Sequence, residues 1–471
     1  MMREIWVQSS YLAATIFFFL GLKQLGHPAT ARRGNYLGAA GMGLAVLGTA
    51  FHPDLQDPWL PLLAVGLGSI AGIVSAQRVV MTAMPQMVAL LNGLGGAASA
   101  LVAIAEYLRL SQVPLAATQQ LPTLIALLLG LLIGGVTLSG SLVAFAKLQG
   151  LISGQPLTLP SHRLWSLLLL LGFVSGAVLF LVAPQAPTAL AVLTALVIAT
   201  LLLGLFFVAP VGGGDMPVVI ALLNSLSGLA ASAAGFAVNN NLLIIAGALV
   251  GASGLILTVI MCKAMNRSLT NVLFSGLVAA GGQADGGTSA AGDRNARQID
   301  SDEGAMLLGY ARSVVIVPGY GMAVAQAQHT VRGLAEHLQR LGVEVKYAIH
   351  PVAGRMPGHM NVLLAEANVP YGQLYDLESI NSEFEHTDVA LVIGANDVVN
   401  PAARLDNSSP IYGMPILDVD RARQTIVIKR SMANGYAGID NPLFYGDRTV
   451  MLFGSAREVI SQLVGAVKEL S

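Results

Sequence analysis

Charged side chains are scarce in this chain. They make up 11% of its 471 residues, against about a quarter in an ordinary soluble protein, whereas hydrophobic residues make up 54%. The shortage is uneven, because Val7–Cys262 is almost entirely apolar or small, whereas the sequence after about Ala280 has the composition of a globular protein. This distribution predicts an N-terminal membrane domain followed by a soluble domain.

The chain has a single cysteine and almost no net charge. The one cysteine, Cys262, excludes an internal disulfide and a cysteine-rich metal site, and we predict no metal centre. A net charge of -1 gives no indication of a basic surface for nucleic acid. The N-terminus lacks the pattern of a cleavable signal, so we interpret its apolar run as a retained helix.

Long apolar runs fill the first half of the chain. A helix needs roughly 20 apolar residues to cross the hydrocarbon core of a bilayer. The sequence therefore predicts a polytopic α-helical domain over residues 1–265, with about nine spans: Val7–Leu25, Tyr36–Phe51, Leu60–Val80, Met84–Tyr107, Leu121–Ala146, Leu164–Val182, Leu190–Val208, Val218–Val238 and Leu242–Cys262. The second run is short and has the least defined boundaries.

Lysine and arginine are distributed unequally between the two sides of these spans. With the N-terminus outside, only Arg3 and Arg109 fall on the outer side. The inner side carries Lys23, Arg32, Arg33, Arg78, Lys147, Arg163, Lys263 and Arg267. Because positive residues concentrate on the cytoplasmic side, an odd number of spans places the C-terminal domain in the cytosol.

Polar side chains within predicted spans are costly in a bilayer and therefore informative. Asn92 lies in the fourth span, Ser141 in the fifth and Asn224 in the eighth, and Asp215 lies at the inner mouth of the eighth. Hydrogen bonds between helices account equally well for each residue taken alone, whereas polar groups at similar depth on three helices favour a hydrated path. The sequence places no titratable side chain at mid-membrane, so a crossing proton needs a group from a partner or a chain of water.

A polar, glycine-rich stretch separates the two halves. Residues 281–292 read GGQADGGTSAAG, a composition that behaves as a flexible tether. We therefore predict a linker over residues 266–300 and a soluble domain over residues 301–471, which moves relative to the membrane domain.

Strand and helix patterns alternate from Ser301 onwards. Apolar runs predict strands at Ser313–Val317, Glu344–Ile349, Asp388–Ile393, Pro415–Asp418, Thr425–Ile428 and Thr449–Phe453. A helix is predicted after the first strand, ending near Leu341, and a closing helix over Ala456–Leu470. Such alternation is typical of a parallel sheet with helices on both faces, so the sequence predicts an α/β Rossmann-like domain.

The first of these strands is followed by a turn of the form GxGxxV, from Gly319 to Val324. The glycines let backbone approach a pyrophosphate, and the N-terminus of the following helix favours its charge. Valine replaces the third small residue of the usual dinucleotide fingerprint. By itself the motif is equally compatible with an ordinary strand-to-helix turn.

The ends of two other strands bear on the choice of nucleotide. NAD-binding domains usually carry an acid after the second strand to hold the ribose 2′-hydroxyl, but His350–Arg355 contains none. After the strand at Thr425–Ile428 comes Lys429–Ser431, whose two cations and hydroxyl suit a 2′-phosphate. A solvated basic edge is the alternative, but together with the glycine-rich turn this cluster favours NADP. The glycine-rich stretch Met432–Pro442 predicts a mobile lid over the ligand.

The soluble half closely resembles the β subunit of proton-translocating NAD(P) transhydrogenases in four segments: PGYGMAVAQAQ, AGRMPGHMNVLLAEANVPY, GANDVVNPAA and KRSMANGYAGIDNPLF. The resemblance extends to DMPVVIALLNSLSGLAASAAGF and MCKAMNR, so it covers nearly the whole chain. It implies an NAD(P)+ transhydrogenase of the bacterial inner membrane. This chain would bind NADP(H), and an α subunit with further membrane helices would bind NAD(H). Hydride would pass directly between the nicotinamides, coupled to proton passage, in a dimer of αβ units.

The resemblance also implies site residues. Those expected to bind NADP(H) are Gly319, Tyr320, Gly321, Val352, Ala353, Gly354, Arg355, Met356, Pro357, Gly394, Ala395, Asn396, Asp397, Val398, Gly413, Met414, Lys429, Arg430, Ser431, Gly435, Tyr436, Ser455 and Ala456. Those expected on the proton path are Asn92, Ser141, Asp215 and Asn224. Asn92 departs from the family pattern, because some members have a histidine there and others carry it on the partner's membrane helices. No residue is expected to act as an acid or base in hydride transfer, since the cofactors carry that chemistry.

Two other functions are compatible with parts of the sequence. One is a transporter or channel regulated by a cytosolic nucleotide-sensing domain, against which the lack of a TVGYG-type filter argues. The other is a membrane-anchored scaffold with a vestigial nucleotide fold, against which the intact Lys429–Ser431 cluster argues. Within the transhydrogenase interpretation, we hypothesise that Asp397 and the lid sense the protonation state of the membrane domain through the linker.

Overall fold

The computed structural model describes residues 2–52, 55, 59–80, 83–112, 117–154, 156–157, 161–184, 187–266, 268–270, 272, 296–435 and 437–470. It contains two compact units, Met1–Val211 with Val219–Thr258 and Gly212–Val218 with Val259–Ser471. Most of the predicted linker, and Tyr436 of the predicted lid, lie outside the described residues.

Long helices make up the described residues before position 265. They are Met2–Leu25 (α1), Pro28–Ala50 (α2), Trp59–Arg78 (α3), Met84–Leu110 (α4), Ala117–Gln149 (α5), His162–Val182 (α6), Ala189–Val208 (α7), Met216–Ala237 (α8) and Asn241–Ala264 (α9). Within this described part, eight helices are long and apolar enough to cross a membrane, all but α2. α2 begins earlier than predicted, at Pro28, and its first two turns include Arg32 and Arg33, which lower its mean hydropathy. The prediction of a polytopic helical domain is confirmed.

Glycines allow several of these helices to cross at very short range. A Cβ placed on Gly96 of α4 would lie 2.6 Å from the carbonyl oxygen of Gly134 on α5, and one placed on Gly134 would lie 2.6 Å from that of Gly96. A Cβ on Gly228 of α8 would lie 2.4 Å from the backbone nitrogen of Gly251 on α9. Small residues therefore bring the backbones of α4 and α5, and of α8 and α9, into contact, as expected for helices packed in lipid.

The second unit contains a six-stranded sheet. Its strands are Ser313–Pro318 (β1), Glu344–Ile349 (β2), Leu374–Asp376 (β3), Val389–Ile393 (β4), Gln424–Lys429 (β5) and Thr449–Phe453 (β6). They pair in the order β3-β2-β1-β4-β5-β6, and every pairing is parallel. This is the order of a Rossmann-like sheet, in which the connections leave a crevice where the strand order reverses, between β1 and β4. The predicted fold class is confirmed.

Helices and short turns connect these strands. The helices are Ser301–Gly309 (α10), Tyr320–Val324 (α11), Gln328–Arg340 (α12), His359–Glu366 (α13), Leu377–Ile380 (α14), Ala402–Leu405 (α15) and Ala456–Glu469 (α16). Short 3-10 segments lie at Tyr371–Gln373, Asn381–His386, Asp397–Val399, Val419–Arg421 and Pro442–Tyr445, and one outside the sheet region, Gly213–Asp215, precedes α8. α12 buries Val331, Leu334 and Leu338. This spacing of three and four residues gives a helix one apolar face to lay on a sheet.

One predicted strand is wrong. Pro415–Asp418 forms no strand, although Ile416 and Leu417 are buried in the core on one face of the sheet. The backbone N–H of Leu417 donates to the carbonyl oxygen of Val398 at 2.9 Å, so the segment is bonded to the 3-10 turn Asp397–Val399 and to no strand. Its apolar character comes from core packing, and Pro415 has no N–H to donate to a ladder.

Two other elements differ from the sequence pattern. β3 was not predicted, because three residues are too few to show an alternating pattern. The helix predicted after β1 is divided into α11 and α12 by a turn in which Gln326 has a φ of 51°. That left-handed residue interrupts the helix while both pieces remain on the sheet.

Candidate functional site

The turns after β1 and β4 are in direct contact. The backbone N–H of Gly321 donates to the carbonyl oxygen of Gly394 at 2.9 Å. Gly394 has a φ of 66°, and a Cβ placed on it would lie 2.4 Å from the Cα of Gly321. A Cβ on Gly319 would lie 2.4 Å from the backbone nitrogen of Ala395. The glycines of the GxGxxV turn are therefore required by the packing of two loops at the crevice where Rossmann-like sheets bind ligands.

The loop after β2, Val352–Pro357, approaches the same turn. The guanidinium carbon of Arg355 lies 4.6 Å from the centroid of the Tyr320 ring, at the range of a cation–π contact. Gly354 has a φ of 108°, a conformation that favours glycine. The loop therefore offers a cation, stacked on the aromatic ring of the turn after β1, where NAD-binding domains usually place a carboxylate.

Two buried histidines that the sequence reasoning missed flank this loop. His350 accepts a hydrogen bond at Nδ1 from the backbone N–H of Val352 at 3.2 Å, and His359 accepts one at Nδ1 from the backbone N–H of Arg355 at 3.1 Å. Burial lowers the pKa of His350 and that of His359 to about 4 each, with the nearby Arg355 contributing to the second. The available signal was a histidine at each end of a glycine- and proline-containing loop, HPVAGRMPGH.

In the predicted basic cluster at the end of β5, Lys429 makes the closest contacts with the following segment, and the Ser431 hydroxyl accepts a longer hydrogen bond from the backbone N–H of Ala433 at 3.4 Å. The Nζ of Lys429 donates to the carbonyl oxygen of Ala433 at 2.8 Å and lies 4.5 Å from the centroid of the Phe444 ring. Burial lowers the pKa of Lys429, against the opposing effect of Asp397 and Asp440. Arg430 and Ser431 are exposed beside it. A half-buried cation next to two exposed polar side chains suits recognition of an anion that arrives from solvent.

Asp397 joins the turn after β4 to the predicted lid. Its Oδ2 accepts a hydrogen bond from the backbone N–H of Ala437 at 3.0 Å. A Cβ placed on Gly435 would lie 2.4 Å from Oδ1 of Asp397, so glycine is needed there for the close approach. Nδ2 of Asn441 donates to the carbonyl oxygen of Asn396 at 3.1 Å. The lid segment is thus hydrogen-bonded to the turn after β4 at two points.

The remaining predicted residues lie at the same edge of the sheet. Ser455 is the N-cap residue of α16, and Ala456, the first residue of that helix, is buried. The N–H of Gly454 donates to the carbonyl oxygen of Lys429 at 2.9 Å. Gly413 has a φ of 77°, and Met414 is buried. The segment that holds both is joined to the loop after β2, because His350 contacts the Pro415 carbonyl oxygen. The described nucleotide-site candidates therefore converge on the C-terminal edge of the sheet.

Three of the four predicted proton-path residues lie on neighbouring helices. Asn92 of α4 is buried, and its Nδ2 donates to the carbonyl oxygen of Ile220 on α8 at 3.3 Å. Asn224 lies one turn further along α8. A Cβ placed on Gly93 of α4 would lie 3.1 Å from the Cβ of Ser141 on α5. Polar groups of α4, α5 and α8 thus meet around one stretch of α4.

Ser141 and Asp215 complete the set. The hydroxyl of Ser141 is fully buried and has no hydrogen-bond partner among the residues that the structure describes. Asp215 ends the 3-10 turn that precedes α8 and is 7% exposed.

The chain combines helices that can span a membrane with a sheet in Rossmann order, and the ends of its strands carry glycine turns and cations. These features define a membrane protein with a nucleotide-binding domain. The family model of the NAD(P) transhydrogenase beta subunit matches residues 7–466. The chain is 50% identical over 468 residues to NAD(P) transhydrogenase subunit beta of Rhodospirillum rubrum, which covers 99% of this chain and 100% of that protein. The protein of the same name from one strain of that species matches equally. The chain therefore belongs to the NAD(P) transhydrogenase beta-subunit family and is a subunit of a proton-translocating transhydrogenase, which confirms the resemblance drawn from its motifs.

Proposed function

We propose that this chain binds NADP(H) at the C-terminal edge of its sheet and exchanges hydride directly with NAD(H) on an α subunit, coupled to proton passage through its helices. This proposal depends on one observation: the turn after β1 and the lid segment both contact the turn after β4 at the C-terminal edge of the sheet. The GxGxxV turn contacts Gly394–Ala395, and the lid segment is hydrogen-bonded to Asp397 of the same turn. This edge can enclose a dinucleotide between a glycine turn and a lid.

The residues at this edge fit NADP better than NAD. Lys429 ends β5 and Arg430 follows it, and Arg355 follows β2 in the place where NAD-binding domains usually have an acid. Cations attract the 2′-phosphate, whereas the missing carboxylate removes the usual partner of a 2′-hydroxyl. When bound, the nicotinamide supplies the hydride chemistry. The chain's own residues hold the phosphates, orient the ring and exclude water from it.

Coupling requires that the affinity for NADP(H) depends on the protonation state of the membrane domain. A coupling free energy of this kind is reciprocal. If protonation of the membrane domain changes the affinity for NADP(H), then NADP(H) binding changes the proton affinity of the membrane domain by the same factor. Asp397 suits the sensing role because its carboxylate contacts both Gly435 and Ala437 of the lid. Loss of this hydrogen bond would loosen the lid, which would remain joined to the turn after β4 through the hydrogen bond from Asn441 to Asn396.

The proton path of the proposal runs between α4, α5 and α8. Asn92, Ser141 and Asn224 are polar but do not titrate, so they relay a proton through water and leave its uptake to another group. We assign that group to the membrane helices of the α subunit, beside Asn92. Asp215 would receive the proton at the inner mouth of α8.

The arrangement in the cell follows from the charge distribution. We propose that the chain lies in the bacterial inner membrane with its N-terminus outside and the sheet domain in the cytosol, where nucleotides are. Residues 1–265 would translocate protons, residues 266–300 would act as a linker, and residues 301–471 would bind NADP(H). The active assembly would be a dimer of αβ units.

The test is hydride exchange in liposomes that contain this chain and its α subunit. NADPH and an NAD analogue are supplied outside, and absorbance of the reduced analogue is recorded with a pH-sensitive dye. Exchange that depends on both subunits and is accompanied by a pH change supports the proposal. Nucleotide binding without exchange would instead indicate a sensor, and proton movement without exchange would indicate a channel. The control is the same vesicle without the α subunit.

A further inference from the structure

We propose that His350 and His359 are positioning residues for NADP(H): their two neutral imidazoles hold the Val352–Pro357 loop in its binding conformation through backbone hydrogen bonds. The inference rests on the proposed function, because it takes that loop to contact the nucleotide. Neither histidine was among the residues expected to bind it.

His350 uses both ring nitrogens. It is 1% exposed, and its Nε2 lies 2.8 Å from the carbonyl oxygen of Pro415. A carbonyl oxygen only accepts, so Nε2 carries the proton and donates it. Nδ1 is then free of hydrogen and accepts from the backbone N–H of Val352. The ring thereby joins the start of the loop to the segment that contains Gly413 and Met414.

His359 holds the middle of the loop. It is fully buried, and its Nδ1 accepts from the backbone N–H of Arg355 at 3.1 Å. A Cβ placed on Gly354 would lie 2.4 Å from that same Nδ1, so the loop is packed directly on the ring. The Tyr320 ring lies close to both residues. Its centroid is 6.3 Å from the centroid of the His359 imidazole and 4.6 Å from the guanidinium carbon of Arg355. The histidine thus fixes the backbone from which Arg355 reaches Tyr320.

The loop has no regular ladder of backbone hydrogen bonds, and besides the two imidazoles it is held by the bond from the N–H of Ala353 to the carbonyl oxygen of His350 and by the burial of Ala353 and Met356. Gly354 and Gly358 both have positive φ, at 108° and 67°, and the loop belongs to no helix or strand. Both imidazoles must stay neutral for this role, because a proton on Nδ1 would face a backbone N–H. Burial supports that state, since it lowers the pKa of His350 and that of His359 to about 4 each.

Substitution of His359 by asparagine or by glutamine tests the roles of its two ring nitrogens separately. His359→Asn places an amide oxygen near the position of Nδ1 and keeps an acceptor for the backbone N–H of Arg355. His359→Gln places its amide near the position of Nε2 and leaves the backbone N–H of Arg355 without an acceptor. A buried donor without an acceptor shifts the equilibrium of the loop away from its binding conformation by roughly tenfold or more. In the full chain with its α subunit, we expect His359→Gln to raise the KM for NADPH roughly tenfold with a smaller change in kcat. His359→Asn should stay within about threefold of the unchanged protein.

A spectroscopic measurement tests the same idea without nucleotide. The full chain, labelled with 15N-histidine in lipid nanodiscs, should give signals of two neutral Nε2–H imidazoles that disappear in the His350→Asn and His359→Asn variants, respectively. This result stands even if His359→Gln does not fold. An Nδ1–H or charged imidazole at either position, or equal effects of His359→Asn and His359→Gln on KM, would overturn the inference. Failure of the unchanged protein to bind NADP(H) would overturn the proposed function, and the positioning role with it, while the tautomer signals would still report the loop contacts.

Discussion

The carboxylate of Asp397 accepts a hydrogen bond at 3.0 Å from the backbone N–H of Ala437, which joins the turn after β4 to the lid segment. The same side chain stands against Gly435, where a Cβ would lie 2.4 Å from Oδ1. One carboxylate therefore contacts the lid at two residues, Gly435 and Ala437. A change in its charge or size should alter nucleotide release before it alters the fold.

Asp397→Asn should uncouple hydride transfer from proton movement. The amide is nearly the same size and keeps one oxygen for Ala437, but it cannot titrate. We expect hydride exchange between NADPH and an NAD analogue to continue while the associated pH change falls by roughly tenfold, a typical size for a coupling free energy. The ratio of protons to hydride in liposomes measures this. An unchanged ratio would contradict the sensing role of Asp397.

Gly435→Ala should displace the lid. The added methyl group meets the Asp397 carboxylate, and overpacking of this kind costs about 1–3 kcal/mol. We expect the Kd for NADP(H) to rise roughly tenfold, as measured by equilibrium binding. The matched control is Gly465→Ala on the exposed side of α16, where a Cβ meets nothing within 4 Å. There alanine should stabilise the helix by up to about 1 kcal/mol and leave binding unchanged. Equal Kd values for the two variants would argue against contact between lid and Asp397.

Ser141→Ala should reduce proton translocation without loss of stability. The Ser141 hydroxyl has no hydrogen-bond partner among the described residues, so the fold loses no bond when it is removed. Ser225→Ala is the control, because the Ser225 hydroxyl donates to the carbonyl oxygen of Gly251 at 2.6 Å. That variant should lose about 1 kcal/mol of stability. Pumping rates and thermal unfolding distinguish the two, and normal pumping by Ser141→Ala would remove it from the proposed path.

Acid should destabilise the sheet domain through His350 and His359. Their pKa values are lowered from 6.5 to about 4 in the fold, so below pH 6.5 the unfolded chain binds protons that the fold does not. Stability is therefore complete above pH 6.5 and is lost as the pH falls towards 4, by about 1.4 kcal/mol per pH unit for each histidine. Arg355, which faces His359, acts in the same direction. Unfolding followed from pH 7 to 5 measures the slope. His359→Asn should roughly halve it, and an unchanged slope would show that His359 titrates normally.

The fold was largely predictable because its signals are local. Apolar length marked the spans, and β-branched runs marked β1, β2 and β6 within one residue of their ends. Where prediction failed, packing was responsible. Pro415–Asp418 has the composition of a strand but is buried as a loop, and β3 depends on its pairing with β2 more than on its own three residues.

The segments of the candidate site could be identified from sequence motifs, whereas the contacts between them could not. The GxGxxV turn and Lys429 were identifiable from their place after strands. No spacing in the sequence indicates that Gly319 and Gly321 contact Gly394 and Ala395, because these pairs are more than 70 positions apart and meet only through the β1–β4 pairing. The roles of the two histidines depend on ring nitrogens that face backbone N–H groups, which only the folded loop shows.

Equilibrium binding of NADP(H) and NAD(H) to the full chain tests the central claim most directly. The unchanged protein is compared with a Lys429→Ala/Arg430→Ala double variant, whose folding is checked by thermal unfolding. We predict a clear preference for NADP(H) that the double variant loses, because the two cations supply the attraction for the 2′-phosphate. Equal affinity for the two nucleotides, or a preference that survives in the double variant, would contradict the assignment of this edge of the sheet to NADP(H).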